Sequence, residues 1–176
     1  GRRAVTILDV IARAAGYGGG IALRDARRAI RFRDLEEEIG RLDGIVRSGH
    51  EGPGFVLAAL LPNRVEYPLA YLAAFSSGYP IVPLGRGLAG ETLAHIVREA
   101  GVSTLLVDEN TAPACRGLER LCRVVNLEDP APERRVRPRM VPVASSTLAS
   151  INYTSGTTGR VKGVMLSHRS YLAACR

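Results

Sequence analysis

Between Ile151 and Val164 the chain reads INYTSGTTGRVKGV, a short apolar run followed by three glycines, five hydroxyl-bearing side chains and one lysine. Glycine lets backbone N–H groups come close to an anion, and the hydroxyls of Thr154, Ser155, Thr157 and Thr158 can donate to phosphate oxygens. Lys162 would add a compact positive charge, and it is the one lysine among 24 basic residues, the rest being arginine. Holding phosphate is the chemistry these residues share. The spacing is not that of a Walker A loop. Counting from Gly156, Val161 stands where the second glycine belongs, and Gly163 follows the lysine in place of serine or threonine. A flexible Ser/Thr/Gly linker is the bland alternative, but linkers rarely sit between two apolar strands.

A second glycine pattern competes with the first. Gly85, Gly87 and Gly90 form a literal GxGxxG between an expected strand and an expected helix, and Asp108 closes the following strand. That is the order of a dinucleotide-binding turn, so an oxidoreductase stands as an alternative. Three features oppose it. Pro80 and Pro83 interrupt the strand, Glu91 puts negative charge where a pyrophosphate would sit, and the strand is short. A plain turn is the simpler reading.

Other reactive side chains are scattered. Cys115, Cys122 and Cys175 form no CxxC pair and have no histidine at ligand spacing, so no zinc site is expected. The odd count fits a reducing, cytoplasmic setting, with Cys115 and Cys122 packed as small apolar residues on or near one short helix. His95 lies in a helical segment and His50 in a loop, and both read as structural. The net charge of +7 invites a nucleic-acid partner. However, the clusters Arg27, Arg28, Arg31, Arg33 and Arg134, Arg135, Arg137, Arg139 lack interleaved aromatics, and no nucleic-acid partner is expected. No apolar run approaches the roughly 18 residues of a membrane helix. Asp9 and Arg13 break the N-terminal apolar stretch, so no signal peptide is read.

The elements that must position the loop can be placed by periodicity. Ile7 to Ala15 has helical spacing, and IALRDARRAIRF alternates on both sides of a polar turn, as a hairpin does. In DLEEEIGRLDGIVRSG, Leu35, Ile39, Leu42 and Ile45 or Val46 share one helical face, and Gly49 is the stop. FVLAALLPN is a continuous apolar run, expected for a strand buried on both faces. A helix from Val65 to Ser76, a short strand at Ile81 and Val82, a helix over ETLAHIVREAG and a strand over TLLVD follow. Strands alternating with helices predict an α/β fold, a mainly parallel sheet flanked by helices. Residues 128–147, rich in proline and arginine, read as an extended connector before the phosphate loop. Then come SINYT as a strand, SGTTGRVKG as the loop, VML as a strand, and a helix with Ser167 as N-cap. The sequence stops soon after that helix starts, so the chain is read as a fragment.

YTSGTTGRVKGV resembles the signature of the adenylate-forming superfamily, usually written YTSGTTGxPKGV, which includes acyl-CoA synthetases, luciferases and the adenylation domains of nonribosomal peptide synthesis. Every signature position matches except Val161, which replaces proline. The early strand pair and helix, the segment LPNRVEYPLAYLAAFSSGYPIVPL and the closing SHRSYLAAC are similar to the family as well. The resemblance implies that residues 1–176 are a partial N-terminal adenylation domain, the N-terminal portion of the large domain. It implies that Thr154, Ser155, Gly156, Thr157, Thr158, Gly159 and Lys162 wrap the β- and γ-phosphates of ATP, with Mg²⁺ sharing the charge. The implied reaction is activation of a carboxylic acid to an acyl-adenylate, followed by transfer to coenzyme A or a phosphopantetheine arm, with an acyl carrier protein as a further partner. The wording of the loop leans towards fatty-acid ligases over amino-acid-activating domains. Catalytic residues are expected beyond Arg176, so the fragment alone is expected to be inactive. A non-catalytic binding module of the same fold is the remaining alternative.

Overall fold

The computed structural model describes residues 9, 11, 13, 15–49, 53–130, 137–155 and 161–174. Most of the expected helix from Ile7 to Ala15, His50, Cys175, and Arg134 and Arg135 of the second basic cluster lie outside the described residues. Asp9, Ile11 and Arg13 are helical, and Ile11 is buried.

Strands β1 (Ile21–Arg24) and β2 (Ala29–Arg31) form the expected antiparallel hairpin. Helix α1 (Leu35–Arg47) follows and buries Leu35, Ile39, Leu42 and Val46; Ile45 is only half-buried, which settles the choice the spacing left open. Gly49, just past the helix, has φ +80°, a left-handed conformation that glycine adopts without a Cβ clash.

The main sheet has six strands in the order β6 (Arg123–Asn126), β5 (Thr104–Val107), β3 (Leu57–Leu60), β4 (Ile81–Pro83), β7 (Leu148–Ser155) and β8 (Val161–Ser167). Strand β3 (Leu57–Leu60) is entirely buried. It pairs in parallel with β4 (Ile81–Pro83) on one side and β5 (Thr104–Val107) on the other. Helix α2 (Glu66–Ser77) connects β3 to β4, and α3 (Gly90–Glu99) carries the chain back across β3 to β5. Reversing the direction of travel puts right-handed crossovers on opposite faces. Two apolar cores result. Leu57 and Ala59 pack with Ile39, Leu42, Leu69 and Ala73 on one face, while Ala58 and Leu60 pack with Leu93, Ile96 and Val97 on the other. The period of two along β3 is what divides its side chains between them.

Three features depart from the sequence reading. Strand β6 (Arg123–Asn126), parallel to β5 at the sheet edge, was not expected. Four residues beginning with an arginine carry too little pattern, and β6 is fixed by pairing across to β5. Cys115 and Cys122 are buried as expected, but one ends a 3₁₀ turn (Ala112–Cys115) and the other follows a separate turn (Leu118–Arg120). Burial pushes both thiols up to about 11, with the neighbouring Glu119 carboxylate adding to the shift.

The third departure concerns the segment expected to be the phosphate loop. Strand β7 (Leu148–Ser155), parallel to β4, turns into β8 (Val161–Ser167), antiparallel to it, so the sheet is mixed at this edge. Thr154 lies in the expected strand, but Ser155, Val161, Lys162 and Gly163, expected in the loop, are strand residues as well. Valine favours the extended backbone, and ladder pairing outweighs the glycine at 163. Helix α4 (His168–Ala174) follows directly. The hydroxyl of Ser167 lies 3.2 Å from that of Ser170, so its described contact is with a side chain rather than with a helix-start N–H. Residues 137–147 of the connector contain neither helix nor strand. They lie along α2, where the Val141 N–H donates to Ser76 O at 2.7 Å. No helix among the described residues is long and apolar enough to cross a membrane.

Candidate functional site at the β7–β8 hairpin

Alternation along β7 gives its outer half two chemical faces. Ile151 and Tyr153 point to the α3 side and pack against that core, while Ser150, Asn152 and Thr154 point the other way. Directly opposite residues of an antiparallel pair share a face. Thr154 is paired with Lys162, Asn152 with Val164 and Ser150 with Leu166, so a hydroxyl, an amide and an ammonium group stand on one surface. Both Thr154 and Lys162 are exposed.

The base of this face is anchored. Asn152 Nδ2 donates to Ser150 Oγ at 2.9 Å, and Ser150 Oγ and Tyr171 OH lie 2.8 Å apart. Tyr171 belongs to a ring cluster with Tyr71 and Phe75 of α2. Phe75 in turn meets the buried His168 ring at 5.3 Å. Burial holds the imidazole of His168 below its ordinary value.

The opposite face is anchored through α3. The Tyr153 hydroxyl donates to Glu99 Oε2 at 2.9 Å, and burial together with the Glu99 carboxylate pushes the phenol up to about 12. Gly163, paired with Tyr153, has the ring against its backbone. A Cβ there would come within 2.9 Å of Ile151 Cγ2 and 3.2 Å of Tyr153 Cζ. Glycine at 163 is therefore required by a close approach on the far side of the strand as well as by any demand of the loop.

Of the seven residues expected to hold phosphate, Thr154, Ser155 and Lys162 lie at the open end of this hairpin; Gly156, Thr157, Thr158 and Gly159 lie outside the described residues. Val161, the departure from the signature, is the first residue of β8 and pairs with Ser155. Proline is tolerated at the start of a strand, so the usual residue and valine suit the same place. Sequence reasoning missed Glu99, which meets Tyr153 from 54 positions away, and Tyr171; neither carried a local signal.

The rival glycine pattern is a surface turn. Gly85 and Gly87 are exposed after β4, Leu88 N–H donates to Gly85 O at 3.0 Å, and Gly90, at φ +58°, opens α3. Asp108 is turned inward, accepting Thr111 Oγ1 at 3.0 Å and Asn110 N–H at 3.1 Å, and is not presented to a ribose. A cleft of about 240 Å³ lies elsewhere, beside Arg24, Asp25, Asn63 and Arg64. Its Asp25 and Arg64 already hold Val65 and Glu66. Among the described residues no group of three or more His, Cys, Asp or Glu could hold a metal ion.

A family model described as AMP-binding enzyme matches residues 10–176. The chain belongs to that family. The AMP-binding assignment agrees with the adenylate-forming signature and sets aside the dinucleotide reading. A feruloyl-CoA synthase from Amycolatopsis sp is 31% identical over 156 residues, covering 88% of this chain and 31% of that protein. Surfactin synthase subunit 1 from Bacillus subtilis (strain 168) is 28% identical over 142 residues, covering 81% of this chain and 4% of that protein. This chain therefore spans less than a third of the length of either relative. Among solved structures, an anthranilate CoA ligase in complex with anthranoyl-AMP superposes with TM-score 0.81 at 18% identity, covering 97% of this chain and 36% of that one. A long-chain-fatty-acid-CoA ligase from Archaeoglobus fulgidus gives TM-score 0.75 at 22% identity, covering 93% and 36%. At these identities the structural likeness establishes the shared α/β fold.

Proposed function

We propose that residues 1–176 form the N-terminal part of an adenylation domain, with the connector at 128–147 leading into its phosphate loop, in an enzyme that activates a carboxylic acid with ATP. The observation that carries this reading is the pairing of Thr154 with Lys162 at the open end of the β7–β8 hairpin, next to the glycine-rich turn. Thr154, Ser155, Gly156, Thr157, Thr158, Gly159 and Lys162 would hold the β- and γ-phosphates. A carboxylate oxygen attacks the α-phosphorus, the bond from that phosphorus to the bridging oxygen breaks, and pyrophosphate leaves. Donors fixed before reaction stabilise the charge that grows on the leaving group without having to reorganise.

Mg²⁺ fits this site as a companion of the nucleotide. With no described cluster of metal-binding side chains, its ligands would be phosphate oxygens and loop hydroxyls such as that of Thr154. When bound it neutralises phosphate charge. Lys162 keeps the phosphates oriented, and Tyr153 and Gly163 keep the strand beneath them straight.

The acyl group would then pass to the thiol of coenzyme A or of a phosphopantetheine arm on an acyl carrier protein. The feruloyl-CoA synthase and the CoA ligases support the first acceptor, and the peptide synthase subunit supports the second, with an amino acid as the activated carboxylate. The ligase reading is favoured because the higher-identity relative is a CoA synthase. A reducing cytoplasm is the proposed location, in keeping with the two buried free thiols.

Carboxylate-dependent exchange of labelled pyrophosphate into ATP by the full-length protein tests this. The expected result is exchange that falls roughly 10²-fold or more in Lys162→Ala, the loss typical of a donor aimed at developing charge. Exchange indifferent to Lys162, or none with any aryl, fatty or amino acid, would overturn the reading. The 176-residue chain alone is expected to show no exchange.

A further inference from the structure

We propose that Glu99, on the last turn of α3, is a positioning residue for ATP: by accepting the Tyr153 hydroxyl it fixes the tilt of the outer β7–β8 hairpin on which Thr154 and Lys162 stand. The inference rests on the phosphate-holding role given to that hairpin above.

The hairpin needs such a fixture because the sheet does not supply one. Strand β4 is three residues long and pairs with β7 only at Ile81 and Ser150. Pro83 ends β4 and has no N–H to extend the ladder. Residues 151–155 and their partners on β8 therefore run on past the last rung to β4. Beyond that rung the described contacts with the body of the protein are made on the α3 side, where Ile151, Tyr153 and Val161 pack against the core.

Apolar contact resists separation but permits sliding and rotation. The 2.9 Å bond from Tyr153 to Glu99 is directional, and it locates one residue at the tip. The ring carrying that hydroxyl lies under Gly163, so the position of Tyr153 constrains β8 as well as β7. Thr154 is its chain neighbour and Lys162 the neighbour of Gly163. A shift of the ring is passed through two peptide units to the two groups that would meet phosphate. His95 Nε2, one turn before Glu99, lies 3.7 Å from the same carboxylate oxygen. Glu99 is half-exposed, and among the described residues its carboxylate meets Tyr153 and His95 rather than Thr154 or Lys162, so its effect is exerted through Tyr153.

The test is steady-state pyrophosphate exchange by the full-length protein, comparing wild type, Tyr153→Phe, Glu99→Ala, Glu99→Gln, the Tyr153→Phe/Glu99→Ala double variant and Lys162→Ala. The KM for ATP is expected to rise roughly three- to tenfold in Tyr153→Phe and in Glu99→Ala, as loss of one partly exposed hydrogen bond allows, with the KM for the carboxylate unchanged. The double variant should match the single ones, because both remove the same bond. Glu99→Gln should recover most of the loss, since its amide oxygen still accepts the phenol. An unchanged KM for ATP in Glu99→Ala alongside a damaged Lys162→Ala would overturn the positioning role and leave the phosphate site intact. A Glu99→Gln as weak as Glu99→Ala would also overturn it, by showing that charge rather than the bond matters. Indifference of both Lys162→Ala and Glu99→Ala would instead sink the phosphate reading beneath it.

Discussion

Asp25, in the turn of the β1–β2 hairpin, accepts the backbone N–H of Val65 at 2.8 Å, and Val65 is the residue from which α2 starts. A side chain from forty positions earlier thus satisfies a donor that the helix leaves free, while its other oxygen takes the N–H groups of Arg27 and Arg28. One carboxylate closes a turn and joins the hairpin to the start of α2.

Asp25→Ala is expected to lower the melting temperature by about 2–4 °C, the scale of a lost helix cap in a domain of this size. The backbone N–H groups of Arg28 and Val65 bring the Asp25 carboxyl down to about 2 from 3.8. A depressed acid contributes stability above its unfolded value and loses it as pH falls through the folded one. The difference between wild type and variant in urea titrations should be constant above pH 4 and shrink as pH drops towards 2.

Arg64 gathers the carboxylates at this end of the sheet. Its guanidinium lies 2.6 Å from Glu66, 2.7 Å from Glu128 and 3.7 Å from the buried Asp108. Removing it leaves Glu66 and Asp108 with little solvent and less compensation. Arg64→Ala should cost about 3 kcal/mol in chemical denaturation. Arg64→Lys should not recover it, because one ammonium cannot match a planar fork with three partners.

His168 should make the fold sensitive to mild acid. The residue is 3% exposed and its Nε2 has no hydrogen-bond partner among the described residues. With the folded-state value held below the ordinary 6.5, the unfolded chain takes the proton first. Stability is then complete above pH 6.5 and declines below it, by at most about 1.4 kcal/mol per pH unit. Urea midpoints at pH 7.5 and 5.5 should differ by less in His168→Leu than in wild type.

Gly78 ends α2 at φ +76°, and a Cβ there would lie 3.0 Å from Val143 Cγ1. Gly78→Ala should cost about 1–2 kcal/mol from backbone strain and crowding together. Val143→Ala should recover part of that loss in the double variant, by removing the methyl group that the Cβ meets. An additive pair in thermal denaturation would show the crowding to be unimportant.

Gly163→Ala tests the underside of the candidate site. Its Cβ would meet Ile151 and the Tyr153 ring, so the ring must give way, at about 1–3 kcal/mol. The Tyr153 phenol should then titrate below about 12, as its contact with Glu99 loosens. An unchanged titration would show that the ring and the tether are not coupled.

Much of this protein follows from local pattern. Leu35, Ile39, Leu42 and Val46 recur at helical spacing, so α1 and its buried face are determined by any chain that must hide them. The unbroken run of β3 determines a strand covered on both faces, and its alternation with α2 and α3 determines a parallel sheet. The phosphate role proposed for residues 154–162 rests on residue type and spacing alone, on glycines and hydroxyls whose order is visible in the sequence. Tertiary structure decided what depends on pairing at long range. Strand β6 exists because β5 offers it an edge, and the hairpin takes in Val161 to Gly163 because β7 does. The partners of Asp25, Arg64 and Tyr153 lie tens of residues away, and a hydrogen bond carries no periodicity by which a sequence could announce it.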